Sequence, residues 1–150
     1  MGDRMSAQIF ENLCDLSRLP WFDLLLDAFG QPGFDVFAGS EEFLLATMRH
    51  GGAGCISTTA NINPAAIDRL YRKWRNPDAD AQPAALNELR NTVAQYPMIP
   101  ALKQIVAHHS RDAGWARVRP PLVELTTQQA TNLVAGLARL GFTMIGFDAK

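Results

Sequence analysis

The chain has 150 residues, 47% hydrophobic and 19% charged, a balance that supports a packed core and excludes an intrinsically disordered chain. Lys and Arg number 14 against 15 Asp and Glu, so the net charge of -1 offers no basic field for phosphates and argues against a nucleic-acid partner. No apolar run approaches the ~20 residues of a membrane span, the start lacks the apolar core of a secretory leader, and 2 cysteines make no disulfide framework; a cytoplasmic protein without membrane contact is predicted.

Residues 1–8 are expected to be a disordered lead, and IFENLCD over 9–15 fits a short strand. LPWFDLLLDAFG reads as a helix, with Phe22, Leu25, Leu26 and Phe29 at helical spacing and Gly30 as its stop. A second strand is predicted over 34–38, with Phe34, Val36 and Ala38 on one face. Ser40 then caps a helix that carries Glu41 and Glu42 in its first turn and Arg49 and His50 in its last. Gly51 follows, where a left-handed residue is wanted. AGCIS, over 53–57, has the composition of a strand buried on both faces. Asn63 and Pro64 open the next helix, which runs to about Arg75 before NPDAD breaks it.

Strand and helix alternate to this point, the rhythm of parallel βα units. After residue 76 the rhythm stops. Helices are predicted over 83–95 and 100–109, and WARVRPPLVELT reads as an extended connection because two adjacent prolines forbid helix. A last helix starts at Thr126 or Thr127 and places Leu133, Val134, Leu137 and Leu140 on one stripe before Gly141. Three parallel strands do not close a barrel, and by themselves they leave two sheet edges open.

The segments FDVFAGSEEFLLATMRHGGAGCISTTANINPAAIDRLYRKW, PMIPALKQIVAHH and VRPPLVEL resemble the C-terminal half of the dihydrodipicolinate synthase and N-acetylneuraminate lyase family. These are Schiff-base-forming, pyruvate-dependent aldolases. The resemblance implies an α/β fold: a partial TIM (β/α)8 barrel, its last three βα units over 9–76, then a three-helix C-terminal extension over 77–150. In such a barrel the active site lies at the C-terminal ends of the strands. The resemblance therefore places Gly39, Ser40 and Ile56 along the pocket for a keto acid such as pyruvate, and it calls for neither cofactor nor metal.

The family reaction begins when a lysine amine attacks the keto carbonyl, because only a primary amine gives an iminium that draws electrons from the adjacent carbon. That lysine ends the sixth strand. The matching position here is Cys14 if Asp15 aligns with the family's aspartate, or Leu13 if the alignment runs ungapped to Phe22. Neither forms an imine. The chain's lysines are Lys73 and Lys103, both on predicted helices, and the C-terminal Lys150. The family's catalytic tyrosine and its threonine pair belong to earlier strands, and Tyr71 and Tyr96 fall in or beside helices of this half. The expectation is a lyase-family half without catalytic residues of its own, inactive alone. Its alternatives are a split-barrel subunit completed by a separate N-terminal half, or a non-catalytic assembly or regulatory subunit. Burial of the open edges predicts a homo-oligomer or a complementing half.

Other candidates are weaker. Cys14 has no basic partner nearby in sequence to activate it. A disulfide from Cys14 to Cys55 would have to cross two strand spacings, ~10 Å, beyond its reach. His108 and His109 are adjacent on a helix and point to different faces, unlike an i, i+4 metal pair. Arg117 and Arg119 are read as structural anchors, the tryptophans as packing residues, and Asp15, Glu41 and Glu42 as capping or first-turn charges. Ser57, Thr58, Thr59 and Asn61 remain open between two roles, pocket lining and satisfaction of loop backbone.

Overall fold

A computed structural model describes residues 35–147. The lead, the first predicted strand, the helix before Gly30 and Cys14 lie outside the described residues. Two strands, β1 (Phe37–Ala38) and β2 (Gly54–Cys55), pair in parallel with Phe37 opposite Gly54 and Ala38 opposite Cys55. Flanking bonds lengthen the pairing: the Ala53 N–H donates to the Val36 carbonyl and the Ile56 N–H to the Ala38 carbonyl, both at 2.8 Å.

The crossover between the strands is written into its ends. Ser40, in extended conformation, accepts the Glu42 N–H on its hydroxyl at 3.2 Å. The first turn, Glu41–Phe43, is a 3-10 turn rather than the expected α-helix, a tightening common at helix starts, and α1 (Leu44–Arg49) follows. Two glycines then do different work. Gly51 takes φ +87, and a Cβ on Gly52 would lie 2.5 Å from the Thr47 methyl and 3.2 Å from the Val36 carbonyl.

After β2, a 3-10 turn (Thr58–Asn61) leads into α2 (Pro64–Lys73), with Pro64 at its first position as expected and its end two residues short of Arg75. Three helices follow: α3 (Gln82–Ala94), α4 (Met98–Ser110) and α5 (Thr127–Arg139). In α4 the expected start at Pro100 moves back to Met98, because a proline in the first turn lacks only an N–H that would be unbonded anyway. Helix α5 opens with a capping box: Thr126 accepts the Gln129 N–H at 3.2 Å, and Gln129 accepts the Thr126 N–H at 2.9 Å. No helix of the described residues is long and apolar enough to cross a membrane.

Two apolar clusters hold these elements together. One joins Leu44 and Leu45 of α1 to Ile67 and Leu70 of α2 and Leu86 of α3. The other joins Leu89 and Val93 of α3 to Leu102 and Ile105 of α4 and Leu133 and Leu137 of α5. Helix α3 thus feeds both. The sheet departs from expectation on one face. Cys55 packs on the first cluster and Ala38 is buried, but Phe37 is 49% and Ile56 73% exposed. Phe37 pairs with Gly54, two residues before Ile56, so alternation puts Phe37 and Ile56 on one side, while Gly54 itself is buried beside the Phe37 and Tyr71 rings. The strand 53–57 is therefore not buried on both faces among the described residues: the helices cover only one.

Outside the clusters, Arg49 grips Asp80 with two bonds of 2.7 and 3.1 Å. The hydrogen bond from the guanidinium, aided by its charge, holds the Asp80 carboxyl below its ordinary range. Stability from a depressed carboxyl is present above its unfolded pKa and lost as pH falls through the folded one. Asp80→Asn is accordingly expected to remove a small part of the acid-side loss of stability while leaving neutral-pH stability nearly unchanged, read from urea midpoints across pH. Leu133→Ala, at a fully buried site, is expected to cost about 2–5 kcal/mol in the same unfolding measurement at neutral pH.

Candidate functional site

The register of β1 and β2 decides which residues meet at their C-terminal ends. Gly39 follows Ala38 and Ile56 follows Cys55, so these two stand side by side across the strand pair. Gly39 is exposed and has open space where a Cβ would sit. Ser40 is buried, and its hydroxyl oxygen is the helix cap. Ile56 points its side chain away from the helices. Gly39, Ser40 and Ile56 thus share one end of the sheet.

Beneath them lies a cluster that sequence reasoning did not assemble. The Glu41 side chain is only 1% exposed. Its two oxygens accept from different hydroxyls, Oε2 from Ser57 and Oε1 from Thr59, and those hydroxyls lie 2.9 Å apart. The Arg90 guanidinium, on α3 and 23% exposed, reaches Oε2 at 3.1 Å. A buried carboxylate is costly unless it is both paired and hydrogen-bonded, and this one is both. Glu42, one residue on, is exposed and fits the first-turn charge expected of both.

The polar run at 57–61 is resolved by the same contacts. Ser57 and Thr59 face Glu41, and Asn61 donates to the Thr58 carbonyl at 2.9 Å, closing its own turn. Thr58 is exposed. No sequence signal joined Glu41 to Arg90, because the two are separated by 49 positions. Cys55, beside the cluster, carries a free thiol whose pKa is raised by burial and then by the Glu41 charge. A raised pKa keeps it a thiol at neutral pH, the wrong direction for a nucleophile.

Other candidates stand apart from this end. Lys73 closes α2, and the Lys103 ammonium lies 5.6 Å from the centre of the Trp115 ring. His108 and His109 sit in the last turn of α4, with the His109 ring edge-on to Phe142 at 5.6 Å. Among the described residues no group of three or more His, Cys, Asp and Glu gathers as metal ligands would.

Arg90→Met tests the cluster directly. It leaves the carboxylate with hydroxyls but no countercharge and is expected to cost about 2–3 kcal/mol, toward the low end for a buried pair because Arg90 is partly solvated. In a Glu41→Gln background the same change should cost much less, and urea unfolding of the four proteins checks the coupling.

Comparison with known proteins fits this geometry. The profile of the dihydrodipicolinate synthetase family matches residues 26–140. An uncharacterised DapA-like lyase of Halobacterium salinarum is 30% identical over 153 residues, which take in 93% of this chain and 49% of the relative. A probable 2-dehydro-3-deoxy-D-pentonate aldolase of Escherichia coli is 41% identical over 73 residues, 49% of this chain and 23% of its own. Among solved structures, YagE of Escherichia coli K12, a dihydrodipicolinic acid synthase family protein in complex with pyruvate, superposes with a TM-score of 0.68 at 24% identity, over 79% of this chain and 41% of its own. N-acetylneuraminate lyase of Fusobacterium nucleatum complexed with pyruvate gives 0.70 at 21% identity, over 82% and 42%. These two likenesses are of fold. The chain thus spans about half the length of the first curated relatives it matches and less than half of these solved chains. Given a family match over more than half its residues, the chain belongs to the dihydrodipicolinate synthetase family.

Proposed function

We propose that this chain is the C-terminal half of a Schiff-base lyase barrel, its last βα units followed by the helical extension, that it forms one wall of a pocket for a short 2-keto acid, and that it lacks the amine the reaction needs. The observation that carries the reading is the register of β1 and β2, which brings Gly39, Ser40 and Ile56 to one end of the sheet. Without a Cβ, Gly39 lets a carboxylate approach the backbone closely, while Ser40 and Ile56 line the wall beside it. The pyruvate bound by YagE and by the Fusobacterium lyase supports pyruvate as the ligand class.

In the reaction class, a neutral lysine amine adds to the keto carbonyl and water leaves, giving an iminium. Its positive nitrogen accepts the electron pair released when the neighbouring carbon loses a proton or a carbon–carbon bond. The matching position in this chain is Cys14, or Leu13 in an ungapped alignment. A thiol adds to a ketone only as far as a hemithioketal, which carries no positive nitrogen and stabilises no carbanion. Lys73 and Lys103 stand on α2 and α4 rather than at a strand end. The chain alone is therefore inactive.

Incubation with pyruvate and borohydride, followed by intact mass measurement, tests this. The expected mass is unchanged. A reduced pyruvyl adduct on Lys73, Lys103 or Lys150 would overturn the reading.

A second reading has an observation of its own. The uncovered side of the sheet, with Phe37 and Ile56 exposed among the described residues, favours a half completed by the remainder of a barrel over a free-standing regulatory subunit.

A further inference from the structure

We infer that the cleft between α2 and α3 is a binding site for a small ligand with a carboxylate at one end, an ammonium group at the other and an apolar body between them. The cleft shares no residue with the Gly39, Ser40 and Ile56 wall or with the Glu41 cluster, so it stands apart from the keto-acid reading.

Two alanines open the space. Asn63, Ala66 and Arg69 recur every three positions and so share the face of α2 that borders the cleft, and Ala85 borders it from α3. Larger side chains would interdigitate between the helices, but Ala66 and Ala85 stop at the Cβ and leave a cavity of about 230 Å³. The buried Leu86 and Leu89 give it an apolar floor. Leu140, the C-terminal cap of α5, and Phe142 complete the walls. A turn brings Phe142 there: Gly141 takes φ +64, and the Phe142 N–H donates to the Leu137 carbonyl at 3.1 Å. The volume lies below the ~300–1,000 Å³ of drug-sized sites and suits a smaller molecule.

The rim sets the ends of that molecule. Ile62, just ahead of α2, belongs to the same core as Leu89, whereas Ile67 and Leu70 belong with Leu86, so α2 and α3 run antiparallel. Glu88, next to Leu89, therefore stands toward the Asn63 end of the cleft, and Arg69, next to Leu70, toward the other. Six helical residues, ~9 Å, separate Asn63 from Arg69. Neither charge is engaged by a neighbour. Arg49, Arg72 and Arg90 each bind a carboxylate, whereas Arg69 and Glu88 form no ion pair with each other or with another described residue. Asn63 makes no capping hydrogen bond with its side chain, so its amide is a further polar group at the Glu88 end. Opposite charges at the two ends of an apolar floor complement an extended zwitterion. A plain anion would meet Glu88 and a plain cation Arg69, which selects against both. The ligand class is an ω-amino carboxylate.

The test titrates the full chain with 6-aminohexanoate, hexanoate and hexylamine by calorimetry. Saturable one-to-one binding of 6-aminohexanoate is expected, with each singly charged analogue about fivefold weaker or more. Arg69→Gln should lower 6-aminohexanoate to the level of hexylamine, and Glu88→Gln should lower it to the level of hexanoate. Both side chains are exposed, so both variants keep the helical signal of the parent. Ala85→Phe, also at an exposed position, fills the cleft and should abolish binding. Lys73→Gln removes an exposed cation of α2 that does not border the cleft and should change nothing. The bound ligand should also raise the unfolding midpoint of the parent and not that of Ala85→Phe. No saturable binding at about 10 mM, equal binding of hexanoate or hexylamine, or binding that survives Ala85→Phe overturns the inference.

Discussion

A single buried carboxylate sets the geometry at the strand ends. Glu41 gathers a hydroxyl from Ser57, another from Thr59 and a guanidinium from Arg90, so two stretches remote from it in sequence converge on its two oxygen atoms. Each partner answers a separate part of the cost of burying charge: the arginine balances it, and the hydroxyls replace the water it gave up. The residues proposed to line the pocket are immediate neighbours of these contacts. Gly39 and Ser40 lead into Glu41, and Ile56 leads into Ser57. These three residues therefore take their position from the buried ion pair beside them.

That arrangement explains how the two described strands keep their pairing with one face uncovered by the described residues. Two residues of ladder on each strand offer few hydrogen bonds, and an isolated pair of strands is at best marginally stable in water. The helices on the covered face supply the apolar burial. The Glu41 cluster fastens the loops at the C-terminal ends, and Gly51 and Gly52 let the chain return close against Val36 at the other end.

Much of this was legible in the residues. Ser40, Gly51, Pro64 and the start at Thr126 or Thr127 are signals that act over a few positions, and each falls at a helix end in the structure, with Thr126 the cap of α5. The family was legible for a related reason, since FAGSE and GGAGCISTTANINP are short and contiguous. What local pattern did not carry was anything set by distant contacts. Glu41 looked like Glu42, a first-turn charge, because periodicity says nothing of Arg90 on a helix that starts beyond residue 80. The strand 53–57 looked doubly buried because its residues are small and apolar, whereas the helices of the described residues cover only one face. That mismatch is itself informative, since Ile56 is apolar where its present surroundings do not require it.

Helix α3 ties the βα units to the helices that follow them. Leu86 belongs to the cluster under the sheet, while Leu89 and Val93 belong to the cluster among the last three helices. The same helix also carries Arg90 to Glu41. A break anywhere between the βα units and the extension would strip apolar partners from one core or the other. The two parts are therefore expected to open together rather than as separate foldons, and the helical extension is no detachable appendage.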